Sequence, residues 1–112
     1  MSERHWTLAS ARALFPDVRG RTERAVAEVE RLEAEREAHA AGAPERAALD
    51  ERIERALDRW AREMEALGVQ VKGLWLVDFD SGSGYYCWQW PEPTLGFFHG
   101  YDDGFGGRTP IQ

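Results

Sequence analysis

Residues 74–108 read LWLVDFDSGSGYYCWQWPEPTLGFFHGYDDGFGGR, and this stretch decides the fold. It carries three of the five tryptophans, four of the five phenylalanines, all three tyrosines and the only cysteine. Leu74–Asp80 and Tyr85–Trp90 are rich in aromatic and aliphatic residues and flank Ser81-Gly82-Ser83-Gly84, a four-residue hairpin signal. If Asp80 pairs with Tyr85, the two-residue period puts Trp75, Val77 and Phe79 on one face with Trp90, Trp88 and Tyr86, and that face must be core. The opposite face then holds Leu76 and Asp78 beside Gln89 and Cys87, and is expected to be half polar and half wet. Pro91-Glu92-Pro93-Thr94 turns the chain into a third strand, Leu95 to His99, whose register the sequence does not fix. Val69 and Val71 suit a short edge strand or an extended entry. Gly100 to Gln112 is glycine-rich and is expected as a loop wrapped over the sheet.

Working back toward the N-terminus, the period becomes helical. Thr7 is a plausible N-cap for a short first helix through Leu8, Ala11, Leu14 and Phe15, with Ser10 in place of the glutamate of a full capping box. Pro16 lacks an amide hydrogen and disfavours helical geometry in the residue before it, so a second, long helix is expected to begin there. Its less polar positions, Val18, Thr22, Ala25, Val29 and Leu32, alternate four and three apart, the narrow seam of a coiled coil. Gly20 invites fraying or a bend near its start. Ala40-Ala41-Gly42-Ala43-Pro44 breaks the pattern, with Gly42 able to take positive φ and Pro44 placed to open the next helix. That helix shows Leu49, Ile53, Leu57, Trp60, Met64 and Leu67 on one face and stops at Gly68. Folding back about Gly42 sets Val29 beside Leu57 and Val26 beside Trp60, a register that closes along the whole hairpin. The Glu- and Arg-rich outer face reads as a solvated surface or as a docking site for a partner helix.

The 112 residues allow one core, hence a single domain over 1–112 with a helical scaffold (1–68) and an aromatic sheet and tail (69–112). A net charge of −6 and a pI near 5.0 argue against nucleic acid, because phosphate binding needs a basic stripe. An acidic membrane surface is disfavoured for the same reason. No apolar run approaches the roughly 20 residues of a bilayer span, and MSERHWTLAS lacks the apolar stretch of a secretory signal, so a cytoplasmic location is expected. One cysteine forms no internal disulfide, which agrees with a reducing compartment. Arginine outnumbers lysine thirteen to one, as GC-rich bacterial genomes encode.

Several pieces together resemble the bacterial family called domain of unknown function 2203, over nearly the whole chain. They are Thr7-Leu8 through Ala11-Arg12-Ala13-Leu14 to Pro16, Leu67-Gly68-Val69 with Val71-Lys72, and Gly73-Leu74 with Leu76-Val77-Asp78-Phe79. The most specific is the end: Cys87-Trp88, Glu92, Phe98-His99, Asp102, Gly104-Phe105-Gly106-Gly107-Arg108 and Pro110-Ile111. Two features depart from the family's usual pattern: Phe98 where a tryptophan tends to precede the histidine, and a short Ser81–Gly84 connection. The resemblance implies the helical hairpin and terminal sheet, and it supplies no activity.

From Leu74 onward there are five carboxylates (Asp78, Asp80, Glu92, Asp102, Asp103) and one fixed cation, Arg108. Such carboxylates stay in water, take up a cation, or share the guanidinium. The plainest outcome is that Arg108 folds back to make a bidentate bond with Asp78, Glu92 or Asp102 and pins the tail to the sheet. His99 with Asp102 and Asp103 on the following loop, and Cys87 on a neighbouring strand, could supply ligands to zinc or another divalent ion, though no CxxC or HxxxH spacing supports this. Cys87 as a nucleophile paired with His99 is disfavoured, since a mid-strand thiol has no helix N-terminus to lower its pKa. Six large side chains on one face more often make a core, and only aromatic residues left outside it, such as Tyr85, Phe98, Tyr101 or Phe105, would offer a stacking surface to a ligand. Gly104 to Arg108 is no phosphate loop, because the GxxxxGK[ST] spacing and a following helix are missing.

The expected architecture is therefore α+β: a short N-terminal helix, a long antiparallel helical hairpin and a three-stranded antiparallel sheet with a glycine-rich tail loop. The leading functional expectation is a small non-enzymatic module that presents Asp78, Glu92, His99, Asp102 and Arg108 to a protein or small ligand. A metal-binding protein using Cys87, His99, Asp102 and Asp103, a metal-dependent hydrolase among its forms, is the second. The third is a structural homodimer formed through the hairpin seam or an aromatic edge.

Overall fold

In the computed structural model, which describes residues 4–112, Thr7 opens helix α1 (Leu8–Glu37) through a complete capping box. The Thr7 hydroxyl accepts from the Ser10 amide and the Ser10 hydroxyl accepts from the Thr7 amide, both at 3.0 Å. Serine thus performs the reciprocal role usually given to glutamate.

The expected break at Pro16 does not occur: one continuous helix of 30 residues carries Pro16 in its interior and runs through Gly20. An interior proline loses one backbone bond and crowds the preceding turn, at a cost of about 3 kcal/mol. Ala11 and Phe15 before it and Val18 and Thr22 after it are all buried on the same side, so an uninterrupted helix keeps both halves in one core. Tertiary burial of that order outweighs the local penalty.

Helix α2 (Pro44–Ala66) begins with Pro44 in its first turn, as expected, and folds back along α1. Gly42 and Gly68, with φ of +83° and +91°, supply the left-handed residues that end each helix or its connection. At the level of the predicted Val26–Trp60 pairing, the buried Trp60 indole donates to the Thr22 hydroxyl at 2.8 Å, satisfying both. Ion pairs Arg21–Glu63, Glu28–Arg59 and Arg36–Asp50 join the same levels on the hairpin flanks. They lie near water and each contributes little, typically below about 1 kcal/mol. Among the described residues, no helix is long and apolar enough to cross a membrane.

The sheet has five strands rather than three: β1 (Gln70–Gly73), β2 (Leu76–Asp80), β3 (Tyr85–Gln89), β4 (Phe97–His99) and β5 (Thr109–Pro110). They form an antiparallel meander in chain order. The two added strands are the edges. Val71 pairs with Val77, so the alternation after Gly68 is a true strand, and the tail loop returns to pair Thr109 with Phe98. The β2–β3 register is the expected one, Asp80 opposite Tyr85 and Val77 opposite Trp88. Gly84 is required by close approach, since a Cβ there would lie 2.8 Å from the His99 carbonyl oxygen and collide with the Phe98 ring.

The core sits between the near ends of the helices and one sheet face. Phe15 meets Trp88, and Trp60 meets Trp75, edge to face at 5.2 and 4.9 Å. Trp6 adds a piece that no sequence pattern signals. Its amide donates to the Asp80 carbonyl, its indole donates to the Gly68 carbonyl, and its ring packs on Phe79, so residues ahead of α1 are fastened to the sheet edge. The far half of the hairpin projects beyond this core, giving extents of 49 × 29 × 25 Å.

Candidate functional site

The second sheet face, expected to be half polar and half wet, is buried at Asp78 and Cys87 and partly exposed at Leu76 and Gln89. Asp78 and Cys87 are direct cross-strand partners, and His99 lies two residues beyond Phe97, the partner of Cys87, so all three side chains share that face. Their exposures are 2%, 1% and 5%. The tail closes over them, with a cavity left at their side.

Closure is built from the polar residues of the tail. The Asp103 carboxylate accepts from the Gly100 amide at 3.1 Å, and the Tyr101 hydroxyl donates to Asp80 at 2.7 Å. A 3-10 turn, Phe105–Gly107, then delivers Arg108 onto Glu92 in a bidentate bond of 3.0 and 2.8 Å. Its guanidinium also lies 4.1 Å from the centre of the Phe97 ring and 4.0 Å from that of Phe105. Of the three acids expected to compete for Arg108, Asp78 is engaged by His99 at 3.0 Å and Asp102 stands on the exposed turn, which leaves Glu92. Its carbonyl accepts from the Trp88 indole at 2.8 Å and its carboxylate from the Gln89 amide at 2.9 Å.

Under this cover the His99 ring bridges two acceptors. Its Nδ1 is 2.8 Å from the Gly100 carbonyl, which can only accept, so Nδ1 carries a hydrogen. Its Nε2 faces the Asp78 Oδ2 across 3.0 Å. An imidazole nitrogen and a carboxylate oxygen at that distance hold a proton between them. No nitrogen or oxygen donor among the described residues reaches Asp78 Oδ1. The Cys87 thiol lies 4.0 Å from Arg108 Nη1. Burial, then the charge and hydrogen bond of Asp78, push the thiol up to about 12 against the weaker opposing pull of Arg108. A thiol so held is protonated at neutral pH and does not act as a free nucleophile.

A cavity of about 240 Å³ adjoins the three groups, with Lys72, Tyr85, Tyr101 and Phe105 around it. Lys72 sits over the Tyr85 ring at 4.4 Å. Beside this cavity Asp80 is also buried; burial alone would push its carboxyl up. Tyr101, the Gly82 amide and the charges of His5 and Lys72 together hold it below the usual carboxylate range.

Of the residues singled out from the sequence, Asp78, Glu92, His99 and Arg108 are gathered here with Cys87, while Asp102 and Asp103 stand on the exposed turn. The cluster of donor atoms is Asp78, Cys87 and His99, so Asp78 takes the place expected for the two loop acids. The signal was available in the strand pairing that sets Asp78 opposite Cys87. Lys72 was not singled out; it sits at the irregularity between Val71 and Gly73, which strand alternation does not foresee, and reaches the cavity over the Tyr85 ring.

No curated protein and no solved structure matches the chain. The family model described as an uncharacterized conserved protein, DUF2203, matches residues 4–111, nearly the whole length, and the chain belongs to that family.

Proposed function

We propose that the protein is a small non-enzymatic binding module whose ligand seats in the polar pocket between the sheet and the tail. Asp78, Cys87 and His99 form its base, and the Glu92–Arg108 pair holds its cover. The observation that carries this reading is the burial of three ionisable side chains on the sheet face that is not the core. Desolvating such groups is costly, and apolar residues of similar volume would serve stability as well or better. Their presence beside a cavity supports recognition of something held there. The strongly raised Cys87 thiol supports binding over covalent catalysis.

The test is a titration of isotopically labelled protein with a metabolite extract passed over chelating resin, followed by amide spectra. Signals of Cys87, His99, Tyr101 and Phe105 are expected to move, while those of Val29, Leu32 and Leu49 in the distal hairpin stay in place. Pocket signals that respond neither to the extract nor to added zinc would remove this reading.

A further inference from the structure

We propose that the occupant of this pocket is a divalent cation of the zinc class, ligated by Asp78, Cys87 and His99; the assignment rests on the pocket being a binding site, as read above. One donor atom from each residue lies within 4.8 Å of the others. A tetrahedral zinc ion with bonds of about 2.0–2.3 Å spaces its donors about 3.3–3.8 Å apart, so small side-chain shifts complete the set. The three donors come from adjacent strands of one sheet, which holds their backbones in fixed register.

Charge and tautomer both fit. Binding would release two protons to solvent, the Cys87 thiol proton and the one between His99 Nε2 and Asp78, leaving a thiolate and a carboxylate whose two negative charges the divalent ion cancels. The hydrogen on His99 Nδ1 is committed to the Gly100 carbonyl, so Nε2 is the nitrogen presented to the cluster. This is the outer contact by which proteins orient a metal-bound imidazole.

Independently, Asp78 Oδ1 is fully buried and no nitrogen or oxygen donor among the described residues reaches it, so on that side the carboxylate has only the neighbouring Cys87 thiol, a weak donor. A cation supplies what that oxygen lacks. The Arg108 guanidinium near Cys87 Sγ is neutralised by its bidentate bond to Glu92, and it can donate to a thiolate. A set of one sulfur, one imidazole and one carboxylate selects zinc, cobalt or iron over magnesium or calcium, which prefer oxygen alone. Three protein ligands leave a further coordination position, and the cavity beside the cluster gives it room for water or a small anion.

The experiment uses full-length, reduced, metal-stripped protein titrated with cobalt(II) chloride and then with zinc chloride. Cys87 is the only cysteine in the chain, so a thiolate-to-cobalt charge-transfer absorption reports on it without any variant. One equivalent of cobalt should raise that absorption and zinc should abolish it. Cys87→Ser and His99→Gln should each weaken zinc binding about 100-fold or more, Asp102→Asn should leave it unchanged, and magnesium should not compete. Absence of the cobalt absorption together with absence of zinc binding overturns the assignment, as does zinc binding indifferent to Cys87→Ser and His99→Gln. Those results leave the pocket reading to the metal-free extract titration, so the two stand or fall separately.

Discussion

Val77, Phe79 and Trp88 on one face of the sheet, and Asp78, Cys87 and His99 on the other, alternate along neighbouring strands and are buried to nearly the same degree. The first set is covered by helices and stabilises the fold through the apolar area it removes from water. The second is covered by a glycine-rich tail that offers little apolar surface, so each group has to find a partner of its own. His99 finds Asp78 and Gly100, and Arg108 finds Glu92, but no nitrogen or oxygen donor among the described residues reaches Asp78 Oδ1. Equal burial therefore conceals opposite energetics. One face is dry because that lowers the free energy; the other is buried at a cost, which the proposed ligand would offset.

Substitutions that treat the two faces alike should expose this difference. The largest loss is expected from Trp88→Ala, which empties a fully buried site packed on Phe15 and removes the bond to the Glu92 carbonyl. Urea unfolding should show a drop of about 3–5 kcal/mol. His99→Leu, measured with chelator present, should cost about 3 kcal/mol because it strands the buried Asp78 carboxylate. The double change Asp78→Leu with His99→Leu should recover most of that loss. A double variant no better than the single one would mean that this face is stabilising after all.

Weaker effects should follow from the cover. Arg108→Ala breaks the bidentate bond to Glu92 and both ring contacts, with an expected cost of about 1–2 kcal/mol. Hydrogen exchange should accelerate over residues 100–110 and stay unchanged in α1 and α2; uniform acceleration would show that the tail belongs to the core unit. The smallest change is Tyr101→Phe, which deletes the donor to Asp80 and should cost about 1 kcal/mol in thermal unfolding.

Much of the apolar face was legible. Two-residue alternation around Ser81–Gly84 specified the β2–β3 register, and the four-three spacing of Val18 to Leu32 specified the helical hairpin, because such periods follow from backbone geometry alone. Pro16 misled, since a local helix penalty says nothing of the shared core that Phe15 and Val18 enter. Trp6 was silent for the same reason: a lone tryptophan carries no period.

What the sequence by itself determined is which residues alternate, where the turns fall and which residues pair across β2 and β3. The return of the tail was expected from the sequence, but only the tertiary structure decided that it would pair as β5, that Glu92 and not Asp78 or Asp102 would take Arg108, and that Asp78 would join Cys87 and His99. The physical reason is range. Periodicity and turn chemistry act between near neighbours in the chain, whereas the His99–Asp78 contact joins residues 21 apart across an intervening strand. Which of several acids meets one guanidinium depends on which are already engaged elsewhere, as Asp78 is by His99, and which stay in water, as Asp102 does.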